Sequence, residues 1–480
     1  MPTSRPTLLI GPRAFTDGEA HRAVAGSSGY FLARALGRHR QAHYVDPNDG
    51  HVKVRNTGGY RKDDFTYASL QDTALPRLMA EAGCSVALGP DVFTALTGIT
   101  LPPVGRDKLF TKAYRGFVFE GAEGWLVPTY FPGDLLGDKG NTPALLWDIE
   151  KARDVAAGEY SHWRPECLVD PDLRSWEAYV EAMLRYITTT PRPLVAADIE
   201  TPYKRGRNEG DLEPTDDPSF TIDDVSFAFE GGRGVTVRWG MPYRPGIEAI
   251  FRALAQTEGA TTAFWNAPYD CPRLRHNLGS WALPPTKVRD TMMWWHVLNN
   301  SVDRGLGFAT ASWPLGQGRL PAWKHLGQND PYYRVVDSVA LWRNDHDIQA
   351  LLAATGQLGV AELFAGELTP LLGHLASGGL LVDEALRAST EARLTSRLHD
   401  IRRTLTEAVP ETLRPRKVWK TLRAAEAGLP KVRLEEEDDT LTFRPITATA
   451  TVSGCSACGA APVTKAHTTR KTLDTTPQPS

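Results

Sequence analysis

The stretch LVAADIETP, residues 194–202, decides how this chain is read. Its first half is apolar and reads as a buried strand, yet it ends in two carboxylates, Asp198 and Glu200, one residue apart. Side chains two apart on a strand face the same side, so these two project together. One reading is a solvated pair just past the strand end. The other is a pair held by a cation, because converging carboxylates repel each other and are costly to desolvate alone.

Further acidic residues favour the second reading. FWNAPYDCPRL (264–274) places Asp270 four residues after Asn266, where an apolar strand gives way to a helix. YYRVVDSVALWRNDHD (332–347) has a helical pattern in which Tyr333 and Asp337 are four apart, on one face and one turn from each other. Four carboxylates and a tyrosine from three separated segments can surround two Mg²⁺ ions roughly 4 Å apart, the geometry used to cut phosphodiesters. On this reading the negative cluster is neutralised by metal and by no protein cation.

Composition bounds the alternatives. At 480 residues the chain exceeds what one core serves, so two or three domains are expected. With 41% hydrophobic and 23% charged residues, most of it should fold as globular protein. The 54 Lys and Arg against 57 Asp and Glu leave a net charge of −3, so nucleic-acid contact requires a local patch rather than a global field. Five scattered cysteines argue against a disulfide framework and for a reducing compartment. No apolar run reaches the roughly 18 residues a membrane span needs, and the apolar part of MPTSRPTLLIGP is too short for a secretory signal; a cytoplasmic protein, with no membrane partner, is the expectation.

Strands alternating with helices over residues 1–158 predict an α/β domain with a parallel sheet. Residues 159–190 read as a linker and lead-in helix, Leu173 to Tyr186. Residues 191–360 give three strands, a helix, a further strand and then helices, which predicts a mixed sheet. Residues 361–412 read as a helical hairpin, and residues 413–480 as a tail of little stable structure.

DIET (198–201), NAPYD (266–270) and YRVVD (333–337), in that order, resemble the three motifs of the DEDD superfamily of 3′ to 5′ exonucleases, in its tyrosine-bearing branch. RDTMMWWHVLNN (289–300), GLGFATASW (305–313) and AWKH (322–325) are similar to the stretches after the second motif in exonuclease domains of bacterial and phage family A DNA polymerases. The resemblance implies a ribonuclease H-like fold in which Asp198, Glu200, Asp270 and Asp337 hold two Mg²⁺ or Mn²⁺ ions and Asp198 bridges both. It implies that Tyr333 hydrogen-bonds the attacking water. Thr201 and Asn266 would shape the pocket of the terminal nucleotide; Asn266 equally fits a cap of the turn before Asp270. The implied substrate is DNA with a single-stranded or frayed 3′ end.

GELTPLLGHLASGGLLVDEALR (366–387) resembles the passage from exonuclease to polymerase in family A enzymes, but no polymerase motif follows it. The expectation is a proofreading front part of a split polymerase whose partner is a separate chain, working in a bacterial or phage-infected cytoplasm. A non-catalytic DNA-binding or scaffold subunit is the alternative.

LLIGP (8–12), GSSGYFLARALG (26–37), VALGPDVFTALTG (86–98) and VPTYFPGDLL (127–136) follow the order of the uracil-DNA glycosylase superfamily. Where that family has a histidine before the final proline, this chain has Phe131, and a phenyl ring donates no hydrogen bond. GPRAFTDGE (11–19) offers only Asp17 or Glu19 for the family's acidic residue. A glycosylase-like fold without the activity is expected, and an active glycosylase is a third functional reading. Cys84 and Cys167 read as core residues. In the tail, Cys455, Cys458 and His467 make an incomplete Zn²⁺ set, since a closed site needs four ligands. Trp419 within RPRKVWKTLR (414–423) fits either a nucleic-acid contact or a solvated helix.

Overall fold

Two sheets organise the chain. The first is built from β1 (Thr7–Gly11), β4 (Thr66–Ser69), β5 (Cys84–Leu88), β6 (Phe119–Gly121) and β7 (Gly124–Thr129) in the order β4-β1-β5-β7-β6. The β4-β1-β5-β7 pairs are parallel and β6 is antiparallel to β7. β2 (Arg40–Val45) and β3 (Val52–Thr57) form a separate antiparallel hairpin. The second sheet contains β8 (Cys167–Val169), β9 (Leu194–Glu200), β10 (Asp224–Phe229), β11 (Arg233–Arg238), β12 (Thr261–Phe264) and β13 (Val288–Asp290), in the order β13-β12-β9-β10-β11-β8. β9, β10 and β11 run antiparallel, whereas β12 lies parallel to β9. The computed structural model describes residues 6–12, 26–201, 221–371, 383–408, 432–437 and 440–445, apart from 39, 59, 61–63, 122, 138, 317–318, 328 and 370. The class is α/β with a mixed second sheet, as expected.

Strand parity places the site. Val195, Ala197 and Ile199 of β9 pack with Val225 and Phe227 of β10 against the Leu173–Thr189 and Arg244–Gln256 helices. Leu194 and Ala196 turn to the opposite face, against Val335, Val336, Val339 and Ala340 of the Pro331–Ala354 helix. Asp198 and Glu200 continue that even-numbered series, so they point to the face covered by the helix that carries Asp337. Small residues let this helix approach: a β-carbon on Gly234 of β11 would lie 2.5 Å from Val339 Cγ2 and 2.8 Å from Val335 Cγ2. Ser226, opposite Asp198 in the β9-β10 register, hydrogen-bonds Ser338 at 2.6 Å and pins the helix beside the site.

Two expectations about organisation change. The segment expected as a linker contributes β8, an edge strand parallel to β11, and a helix whose Trp176, Tyr179, Val180, Met183 and Ile187 belong to the core of the second sheet. The two sheets are also not independent bodies, since Met1–Gly379 forms one compact unit. Phe117 packs in one core with Leu194, Trp323 and Tyr333, and Val45 and Trp147 pack in another with Trp295, Phe308 and Ile348. Apolar faces of the first segment that its own sheet cannot cover are buried against the second.

Of the expected helical hairpin, Leu358–Leu363 and Phe364–Leu368 belong to the first unit and the Glu384–Ala408 helix to the second, Leu380–Ser480. In the second unit, β14 (Val432–Glu437) and β15 (Thr440–Pro445) pair as an antiparallel hairpin that the sequence reading passed over. The alternation of Val432, Leu434, Leu441 and Phe443 with polar residues accounts for it. Among the described residues no helix is long and apolar enough to cross a membrane, and Cys84, Cys167 and Cys271 are free thiols.

Candidate active site

Asp198 and Glu200 at the end of β9 and Asp337 on the facing helix bring one carboxylate oxygen each to within 4.8 Å of one another. Asp270 stands beside them on the Ala267–Leu278 helix, where its Oδ1 accepts from the Ile199 backbone N–H at 3.2 Å. Burial pushes Asp198 well above the usual carboxylate range, with repulsion from Asp270, Glu200 and Asp337 adding to it. Burial, then the neighbouring Asp337, pushes Glu200 up to about 7. Asp270 is likewise driven well up by burial, against the Ile199 N–H that favours its charged form. An acidic group this crowded retains protons at neutral pH, or it binds a cation.

One cation is already supplied by the protein, contrary to the expectation that none would be. Lys324 Nζ donates to Asp337 Oδ2 at 2.6 Å and to Tyr333 Oη at 2.9 Å, and the Lys324 and Asp337 side chains are only 7% and 8% exposed. Burial works against the Lys324 charge, but Asp337 and Tyr333 more than offset it and hold the ammonium above its ordinary range. Trp323 Nε1 donates to the other Asp337 oxygen, Oδ1, at 2.6 Å. The AWKH stretch thus grips both oxygens of one carboxylate. A lysine nine residues before Tyr333, in a loop without periodicity, gave the sequence no means of tying it to Asp337.

Asp224 is a second residue missed. It lies opposite Glu200 in the β9-β10 register, buried, and its Oδ2 meets the Arg334 guanidinium at 2.6 Å. Arg334 precedes Val335 on the helix, so one turn of it carries both a site residue, Tyr333, and an arginine that offsets the acidic edge.

Thr201 Oγ1 hydrogen-bonds Tyr269 Oη at 2.8 Å, beside the site. Asn266 does not cap the following helix through its side chain. It takes the left-handed conformation, φ 78°, and its backbone N–H donates to Asp290 Oδ1 at 3.2 Å while the residue is exposed. Asparagine tolerates that conformation better than other residues with a β-carbon, which is a backbone reason for its presence. In the first sheet, Phe131 sits next to Gly89, where an added β-carbon would lie 3.1 Å from Phe131 Cβ. Asp17, Glu19, Trp419, Cys455, Cys458 and His467 lie outside the described residues.

The carboxylate set fits a hard divalent cation: three carboxylate oxygens converge, one of them buried and two half-buried, and Lys324 and Arg334 offset only part of their repulsion.

No protein-family model and no curated protein matches this chain. Among solved structures, the chain is similar to NrnC of Brucella melitensis with bound Mg²⁺, at 17% identity and a TM-score of 0.29, over 47% of this chain and 99% of that one. It is similar to the catalytic core of RRP6 from Trypanosoma brucei at 13% identity and a TM-score of 0.29, over 69% and 68% of the two chains. The Nibbler EXO domain of Aedes aegypti gives 11% identity and a TM-score of 0.28, over 42% and 98%.

Proposed function

We propose that this chain is a divalent-metal-dependent 3′ to 5′ exonuclease acting on DNA ends, in the service of a polymerase carried on another chain. The observation that supports the reading most directly is the meeting of Asp198, Glu200 and Asp337 from a strand and a distant helix, with Asp270 alongside. Mg²⁺ or Mn²⁺ held by these carboxylates would supply the positive charge that makes water a nucleophile near neutral pH and stabilises the departing 3′ oxygen.

The remaining roles fall to the chain itself. An ammonium donates but cannot accept, so Tyr333 Oη accepts from Lys324 and keeps its own proton to donate outward. Burial and the adjacent Asp337 hold the Tyr333 phenol above its ordinary range, so it remains a donor throughout the physiological range. It is thereby suited to orient a water or a phosphate oxygen rather than to remove a proton. Trp323 and Lys324 fix the rotamer of Asp337, leaving Asp198 and Glu200 to adjust to the ion. On this reading exposed Asn266 and Thr201, paired with Tyr269, would shape the space for the terminal nucleotide. The first sheet, lacking a donor at Phe131, is read as non-catalytic.

Asp198→Asn tests the reading. Release of 3′-terminal nucleotides from single-stranded DNA in Mg²⁺ should fall to background, while the metal-free Tm rises because an amide need not take up a proton on folding, as the buried Asp198 carboxyl must. A variant that keeps the wild-type rate excludes Asp198 from the chemistry. DNA that binds without being cut, in Mg²⁺ or Mn²⁺, favours a scaffold role.

A further inference from the structure

A cluster of carboxylates repels the phosphates of the strand it must cleave, so a nuclease cleft needs cations on its rim. The rim beside Lys324 is formed by the other sheet. A β-carbon on Gly307 would lie 2.7 Å from the backbone oxygen of Lys112 and 2.9 Å from Lys324 Cγ, so the Arg106–Ala113 helix and Lys324 are separated by little more than that glycine. Lys112 is exposed, and no carboxylate among the described residues lies within ion-pair distance of it. Partial desolvation and the charge of Lys324 hold its ammonium below the ordinary lysine range, with Asp337 and Asp303 pulling the other way. Lys108, also exposed, stands one turn earlier on the same helix face.

This rim is fixed to the site. Tyr114 stacks on His325, with ring centroids 5.6 Å apart, and Phe117 meets Trp323 edge-on at 5.6 Å. Arg115, buried with Asp148, donates to the Phe308 carbonyl at 3.1 Å, and the buried Lys151 ammonium bonds the carbonyls of Gly116 and Ala311. Lys112 thus stands at the edge of an acidic site, on a helix whose following residues pack against that site.

We propose that the Arg106–Ala113 helix of the first sheet is part of the substrate-binding surface of the carboxylate site, with Lys112, flanked by Lys108, holding backbone phosphates of the single strand. The inference rests on the nuclease reading of the carboxylate cluster. It gives the first sheet a positioning role in the same reaction rather than an activity of its own.

The test uses the full chain carrying Lys112→Gln, with Lys112→Arg as the rescue and Lys108→Gln alone and in combination. Binding of a fluorescein-labelled oligothymidylate is followed by anisotropy in Ca²⁺, over a range of salt, with hydrolysis of the same oligonucleotide and of a dinucleotide followed in Mg²⁺. Lys112→Gln should weaken oligonucleotide binding roughly fivefold at low salt and reduce the salt slope by about 0.7, the contribution of one phosphate contact on a single strand. Lys112→Arg should restore both, and dinucleotide turnover should fall less than oligonucleotide hydrolysis, because a dinucleotide with a single phosphodiester offers the rim no phosphate beyond the one being cleaved. An unchanged salt slope overturns the proposal, and so does an equal loss on the dinucleotide, which would mean that Lys112 acts through Lys324. A wild-type chain that binds the oligonucleotide with a Lys112-dependent slope but does not hydrolyse it keeps the rim and discards the nuclease; one that does not bind it discards the rim.

Discussion

Lys324→Met separates the two cations of the site, the one in the protein and the one it is proposed to bind. Lys324 and Asp337 form a pair at 2.6 Å with both side chains less than a tenth exposed, and the ammonium also holds Tyr333. Deleting one member of a buried pair leaves the other charge uncompensated, which costs about 3–5 kcal/mol. Unfolding entropy grows with length at about 2 cal/mol/K per residue, so a loss near the middle of that range lowers the Tm of the Met1–Gly379 unit by about 5 °C. The same change makes the carboxylate group more negative, so Mn²⁺ should bind the variant more tightly than the wild type. At a hundredfold excess over Kd, a ligand specific for the native state returns about 2.7 kcal/mol. Thermal melts in EDTA and in Mn²⁺ therefore test both parts at once: the variant should be clearly weaker in EDTA and should gain more from Mn²⁺ than the wild type does. Hydrolysis should fall as well, since Tyr333 loses its anchor. A variant within 1 °C of wild type in EDTA, or one that gains no more from Mn²⁺, would refute the account of Lys324 as a resident counter-charge.

Three further outcomes are expected. Glu200, raised from 4.5 to about 7 by burial and Asp337, keeps its proton in the folded state over a window where the unfolded chain has lost it. The metal-free protein should therefore lose stability as pH rises from about 4.5 through about 7, by about 3 kcal/mol for this group. Since Mn²⁺ must displace that proton, calorimetric affinity should rise with pH through about 7; a flat profile from mildly acidic to mildly basic pH would contradict the shift. Gly234→Ala should cost about 1–3 kcal/mol by overpacking against Val335 and Val339. It should weaken Mn²⁺ binding too, because the displaced helix carries Asp337, and a melt showing lost stability with intact Mn²⁺ affinity would uncouple the packing from the site. Asn266→Gly should leave the Tm within about 1 °C, since glycine accepts the left-handed backbone, and a raised KM in that variant would identify the amide as a substrate contact; an unchanged KM would leave Asn266 a backbone residue.

The sequence by itself determined the spacing of the chemistry. Strand alternation put Asp198 and Glu200 on one face, the helical period put Tyr333 one turn from Asp337, and the apolar runs fixed where most strands and helices lie, because these periodicities are local consequences of backbone geometry. Short elements escaped that reading. β8 and β13 are each three residues long, and β4 is four; what holds such strands is the neighbour they pair with, not their own pattern.

The tertiary structure alone decided which charges meet. Lys324 and Trp323 reach Asp337 from a loop, Asp224 stands opposite Glu200 through sheet register, and Lys112 comes beside Lys324 from a different sheet. Asn266 turned from a cap into a left-handed backbone position for the same kind of reason: the Asp290 carboxylate receives its N–H from across the β12-β13 pair. Electrostatic contacts depend on distance in space, and a sequence records only distance along the chain. The carboxylates that demand a cation were legible in the sequence, whereas the cations the protein provides for them became visible only once the helix and the two sheets had packed together.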